Sequence, residues 1–381
     1  MRADIKQNCD CALCKNNHDF TMPNELLSNL QAGKVAVFAG AGVSTESKTV
    51  LNTTFYESIA GELGIENSSF TFPELMEQYC ARPNGRFNLL RNIKGRFDTI
   101  DSFPELNKTA TRFHQELSTF FSIKNIITTN WDTYFEKHCG ATPFVSDPDL
   151  AFWDVADRKV LKIHGSITNF GSIVATTSDY KKCEKNLRYG LIGAQLKSIL
   201  ATQTVVFVGY SFTDSDFSYI YRYVKSQMKD LHKQSYVVTP FANEAEKFRR
   251  AGLLPIVTDG SYFFQQVKAH AIADGVMLSD ENFIEAEILL DTIRREHHRL
   301  HKTIKAIDFP QLIFAATYQD GMMHSLERAI EMRGTGLYSS AHRIRSSVGA
   351  YGDIQKEKLS QKRYDDVSYI EGYINGAMSR P

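Results

Sequence analysis

Five short runs rich in β-branched and aromatic residues mark the first two thirds of the chain, at residues 35–39, 125–129, 160–163, 204–208 and 235–239, with 255–257 as a sixth candidate. They are apolar almost throughout rather than alternating, the pattern of strands covered on both faces of a parallel sheet. Stretches of helical period lie between them, at 55–63, 72–79 and 110–120. The interval 45–122 is too long for one crossover helix and reads as a helical insertion, about 46–121, that roofs a pocket. Beyond about residue 278 the strand pattern stops. Ser279-Asp280 predicts a cap, followed by a helix with apolar positions Ile284, Ile288, Leu289, Ile293, Leu300 and Ile304. The pattern predicts three parts: an arm at 1–21, an α/β domain at 22–277 and a helical region at 278–381.

Each run ends on polar or glycine residues: Gly40-Ala41-Gly42, Asn130-Trp131-Asp132, His164-Gly165, Gly209-Tyr210-Ser211 and Thr239-Pro240. In open, doubly wound α/β sheets of Rossmann-like form the ligand crevice lies outside the carboxyl ends of the strands, so these segments are expected to converge on one pocket. The loop Gly40-Ala41-Gly42-Val43-Ser44 offers backbone N–H groups to a phosphate or is simply a tight turn. The dehydrogenase fingerprint fails, because its third glycine would stand at Thr45 and Glu57 and Glu62 fall within helical pattern. Asn130 and Asp132 share one side of an extended chain, either facing a ribose and a water or bonding their own turn. His164 is a base near neutrality or a structural histidine. After Gly209, Asp214 and Asp216 face a ligand or cap the next helix.

Composition narrows the partners. Lys plus Arg and Asp plus Glu both total 44 in 381 residues, so no global field draws the chain to nucleic acid or to an anionic membrane. A hydrophobic content of 43% with 25 Phe and 17 Tyr is that of a packed protein. No stretch reaches the ~20 apolar residues of a membrane span and no leader follows Met1, which predicts a cytoplasmic protein. Six cysteines are too few for a disulfide framework. Cys9, Cys11, Cys14 and His18 form either a metal site or a floppy thiol-bearing arm, and His297 with His301 a solvated helix face.

The order of these motifs resembles the sirtuin family, in particular the zinc-free sirtuin-like NADases of bacterial antiphage systems. GAG-x-S is matched by Gly40-Ala41-Gly42 with Ser44, T-x-N-x-D by Thr128, Asn130 and Asp132, H-G by His164-Gly165, and G-x-S by Gly209 and Ser211. The resemblance implies NAD+ as substrate. Gly40, Ala41, Gly42 and Ser44 would hold its phosphates, with Thr45 beside them. Asn130 and Asp132 would contact the nicotinamide ribose, Gly209, Tyr210, Ser211 and Thr239 the adenosine half, and His164 would be the base. The Pro-Asp-Phe-Arg of deacylating sirtuins is replaced by Thr45-Glu46-Ser47-Lys48, and between the H-G and G-x-S motifs only Cys183 stands where deacylases carry two Cys-x-x-Cys pairs for zinc. These departures imply water as acceptor and no zinc in the catalytic domain. NAD-dependent deacylation, ADP-ribosyl transfer and a non-catalytic ADP-ribose sensor are the alternatives. A homo-oligomer and a HerA-type ATPase partner are implied by the resemblance alone, and preference for NAD over NADP stays open.

Overall fold

A computed structural model describes residues 11, 13–65, 70–212, 215–305 and 307–379. The chain divides into two compact units, one of residues 1–117 and 122–267, the other of residues 118–121 and 268–381.

The first unit is built on a seven-stranded sheet in the order β3-β4-β2-β1-β5-β6-β7. The strands are β1 (Val35–Ala39), β2 (Asn125–Thr128), β3 (Thr142–Phe144), β4 (Lys159–Lys162), β5 (Thr204–Val208), β6 (Tyr236–Thr239) and β7 (Leu254–Val257). Every pairing is parallel, so all carboxyl ends emerge at one edge. All six expected runs form strands. The strand β3 is the addition, three residues long and carrying Pro143 at one sheet edge; the opposite edge, β7, carries Pro255. Phe38, Phe207, Phe217, Leu196 and Ile199 pack into one continuous core with further buried residues from both sides of β1. The chain runs from β1 toward β2 on one side and resumes with β5 on the other, which makes the β1–β5 seam the topological switch point.

Between β1 and β2 lie four helices, Phe55–Leu63, Phe72–Cys80, Gly85–Ser102 and Pro104–Ser118. The first begins on a capping box, in which the Glu57 N–H donates to Thr54 Oγ1 and the Thr54 N–H to Glu57 Oε2. After Arg82-Pro83-Asn84 the chain opens directly into the long helix Gly85–Ser102, which the helical periods at 72–79 and 110–120 do not include. Asn84 takes φ 56°, and a Cβ on Gly85 would meet Tyr79 O at 2.5 Å. Phe55, Ile59, Leu75, Met76, Leu89, Ile93 and Phe97 give the insertion its own core, closed by Ile173 and Ala175.

Residues 16–20, expected as a floppy arm, are tied down. The Asp259 N–H donates to Asn16 O, the His18 N–H to Thr258 Oγ1, and Phe20 stacks on Phe263 at 5.6 Å. Cys9 lies outside the described residues, so the four-ligand reading of the arm cannot be placed; among the described residues no group of three or more His, Cys, Asp or Glu is arranged to hold a metal. None of the described helices is long and apolar enough to cross a membrane.

In the second unit the main helices are Asp280–Thr303, Leu312–Glu331, Ala341–Ser360 and Tyr364–Met378. Ser279 caps the first, its N–H donating to Asn282 Oδ1 at 2.9 Å. The face of this helix differs from the expected stripe. Phe283, Ala286 and Leu290 are buried, whereas Ile284 and Ile288 are exposed, because the spacing of 283, 286 and 290 turns the neighbouring isoleucines outward. Two helices meet at glycines: a Cβ on Gly321 would stand 2.0 Å from Tyr369 O, and one on Gly372 1.9 Å from Tyr318 O.

Candidate active site at the carboxyl edge of the sheet

At the end of β1 the backbone makes a single 3₁₀ turn, Ala41–Val43, rather than opening an α-helix. Its amides are largely committed. Gly40 N–H donates to Val208 O at 3.0 Å and Gly42 N–H to Gly209 O at 3.1 Å, while Val43 and Ser44 bond back into the turn. Gly209 adopts φ +61°. A Cβ on Gly40 would lie 2.4 Å from Gly209 O, and one on Gly42 2.9 Å from the same atom. The two glycine motifs, separate ligand loops in the sequence, are therefore interlocked with each other. Their lack of side chains serves loop-to-loop contact first.

Beneath this seam Ser44, Asn130 and Asp132 meet. Ser44 Oγ donates to Asp132 Oδ2 at 3.3 Å, and Asn130 Nδ2 donates to Gly40 O at 3.2 Å and to Ser44 Oγ at 3.4 Å. Asn130 N–H is held by Thr128 Oγ1, which itself donates to Ala39 O. Asp132 Oδ1 accepts from Tyr134 N–H at 3.1 Å, so the local turn and the cross-strand contact coexist. All three side chains are buried. Asn130 Oδ1 has no hydrogen-bond partner among the described residues. A buried carbonyl oxygen in that state is an acceptor waiting for a donor. Burial pushes the Asp132 carboxyl above its ordinary range; Lys162, the Tyr134 amide and Ser44 pull against it.

His164 stands one strand over. Thr128 pairs with Lys162, so Asn130 and His164 each lie two residues past a paired position on neighbouring strands. The imidazole is buried against the Tyr180 ring, with centroids 4.9 Å apart. Gly165 follows at φ +86°, where a Cβ would meet Ser172 O at 2.1 Å, so the turn after the histidine admits only glycine. Trp131 projects toward the insertion between Phe55 and Phe72, and its carbonyl accepts from Ile167 N–H.

The remaining expected residues divide. Thr45 is buried, and its carbonyl accepts from Arg96 Nη2 at 2.8 Å; the same guanidinium bonds Thr53 O and pairs with Glu46 at 3.2 Å. Tyr210 turns its ring into the core against Phe38 and Phe217, leaving only its backbone at the edge. Ser211 is exposed, its carbonyl accepting from Lys247 Nζ. Thr239 Oγ1 accepts from Phe241 N–H, capping its own turn. Thr213, Asp214 and the Asp216 side chain lie outside what is described. Sequence reasoning missed Arg96, which clamps the exit of the glycine loop, and Lys162, a lone cation inside an apolar strand run; that isolation is the signal that marks it.

Residues 124–256 match the SIR2-like domain family. Over 377 residues the chain is 29% identical to defense-associated sirtuin 2 of Bacillus subtilis, covering 92% of this chain and 36% of that protein. It is also 29% identical over 244 residues to the NAD(+) hydrolase ThsA of Cytobacillus dafuensis, and 27% over 216 residues to that of Enterococcus faecium. These matches take in 59% and 55% of this chain and 47% and 44% of the two hydrolases, so the chain spans between about a third and a half of the length of these relatives. Residues 124–256 are thus similar to the SIR2-like domain, and they contribute to an all-parallel, Rossmann-like sheet.

Proposed function

We propose that the chain is an NAD+ hydrolase of antiphage defence, cleaving the nicotinamide–ribose bond with water to give nicotinamide, ADP-ribose and a proton. The observation that carries this reading is Asn130, whose amide N–H groups are spent on Gly40 O and Ser44 Oγ while its buried Oδ1 has no donor among the described residues. A ribose hydroxyl or an attacking water supplies that donor. The glycosidic bond is already activated by the cationic pyridinium, so the site needs to hold the ribose, stabilise oxocarbenium character and orient water. His164, on the adjacent strand end, takes the proton. Asp132 fixes Ser44 and the turn rather than reaching substrate, and the glycine seam frames the phosphates. The relatives named as NAD(+) hydrolases, and one named as defence-associated, support the same reading.

Purified protein supplied with NAD+ is expected to release nicotinamide without an acyl-lysine or protein acceptor. Asn130→Ala and His164→Ala are each expected to lower the rate by roughly 10²-fold or more, the scale of a lost positioning or proton-transfer group. Wild-type release by both variants would remove the assignment. A homo-oligomer and a HerA-type ATPase partner rest on the family resemblance. Size-exclusion chromatography of the full chain and of a variant lacking 278–381, with and without such an ATPase, tests both.

A further inference from the structure

Lys162 lies two residues before His164 on β4, and its side chain is wholly shielded from solvent. Its ammonium donates to the peptide oxygen of Asp132 and, at 3.0 Å, to Glu136 Oε1 on the helix Tyr134–Cys139. A buried ion pair is an expensive way to fill a strand position, since apolar residues of similar volume hold a fold as well or better. The ammonium does something a leucine cannot. It ties β4 to the turn carrying Asn130 and Asp132, whose side chains reach up to Gly40 O and Ser44. We infer that Lys162 is a positioning residue for the cleavage site, holding the 129–133 turn so that Asn130 and Asp132 stay engaged with the glycine loop. This inference rests on the reading of Asn130 given above.

The charged and titratable groups around Asp132 are Lys162 from β4, Tyr134, Glu136 and His138 from the helix after the turn, and Asp101 from the helix Gly85–Ser102; His114, from the helix Pro104–Ser118, faces Lys162. Lys162 lowers the Asp132 proton affinity that burial raises, and Glu136 works against Lys162. Protonating Asp132 weakens its hold on Ser44 and the turn, so removing either partner shifts this contribution to the acid limb, and the two removals shift it in opposite directions.

The test is a pH series of nicotinamide release by the full chain for K162R, E136Q and the double variant K162M/E136Q, which removes both charges of the Lys162–Glu136 pair together. The double variant is expected to lose roughly tenfold or more in kcat with KM changed less than about threefold, and to move its acid limb to higher pH. E136Q is expected to move the limb to lower pH, and K162R to restore kcat to within about threefold of wild type. A folded double variant with wild-type kcat and limb overturns the inference, as does an unmoved limb in E136Q; should the double variant fail to fold, E136Q and K162R decide alone. If the wild type releases no nicotinamide, the NAD+ reading falls by itself. Trp131 fluorescence, titrated in a W153F background, then carries the same opposed shifts, and superimposed curves overturn the role of Lys162.

Discussion

Replacing Gly40 by alanine places one methyl group in the seam between the two glycine loops. The native φ of −96° and ψ of 177° suit any residue, so backbone strain plays no part. At such a position the substitution ordinarily stabilises by about 0.4–1 kcal/mol through the unfolded chain. Here the new Cβ would stand 2.4 Å from Gly209 O and 2.9 Å from Tyr210 Cα, both backbone atoms. Reaching even 3.0 Å from Gly209 O requires the loops to part by 3.0 − 2.4 = 0.6 Å. That movement loosens the bonds from Gly40 N–H to Val208 O and from Gly42 N–H to Gly209 O. Overpacking at about 1–3 kcal/mol, plus two weakened bonds at about 0.5–1.5 each, less the entropic gain, leaves a net loss of about 1–6 kcal/mol. For a unit of this size, at about 2–4 °C per kcal/mol, that is a fall in Tm of at least a few degrees. Differential scanning calorimetry measures it, with Gly61→Ala and Gly95→Ala as controls. Both controls lie in helices with open space around the new methyl and are expected to gain about 0.5–1 kcal/mol. A Gly40→Ala protein as stable as wild type would refute the interlocked-loop argument.

His114 is fully buried among Phe113, Tyr134 and Phe135, and burial, with the charges of His138 and Lys162, pushes it down to about 3 from its ordinary 6.5. The unfolded chain therefore binds its proton first, and stability falls as pH drops from 6.5 toward 3. Urea midpoints for His114→Leu are expected to fall less steeply over that window than those of wild type; parallel curves would count against a neutral His114. In the second unit, Gly321→Ala drives a methyl to 2.0 Å of Tyr369 O and is expected to destabilise by about 1–3 kcal/mol, read as an early far-UV transition on heating; an unchanged melt would mean that the two helices part freely.

The strands were legible because burial on both faces leaves runs such as 204–208 with nothing polar in them, and their ends were legible because polar residues stop abruptly there. The strand β3 was not, being three residues with a proline and no room for a pattern. The helix Gly85–Ser102 was missed because Pro83 and Asn84, turn-forming residues, precede it, although Leu89, Ile93, Phe97 and Ile100 carry its buried face at helical spacing. At the site, Asn130 and Asp132 were readable as a pair on one side of the chain. What they touch was not, because Ser44 lies 86 and 88 residues away and only the pairing of β1 with β2 brings it within reach. The same holds for the two glycine motifs, whose need for each other is a tertiary contact, and for Tyr210, whose ring the core claims. Arg96 was invisible for a further reason, since its acceptors are mostly carbonyls, which every residue has.

The edges of the sheet carry a consequence of their own. Both outermost strands are short, three and four residues, and each contains a proline, Pro143 in β3 and Pro255 in β7. Proline offers no N–H to an incoming strand and a short edge offers few others, so neither side is a template for adding chain. Copies of this protein crowded together are thereby denied the simplest route to cross-β aggregation, and any ordered self-association has to be made through side chains on helices and loops, where sequence can specify it.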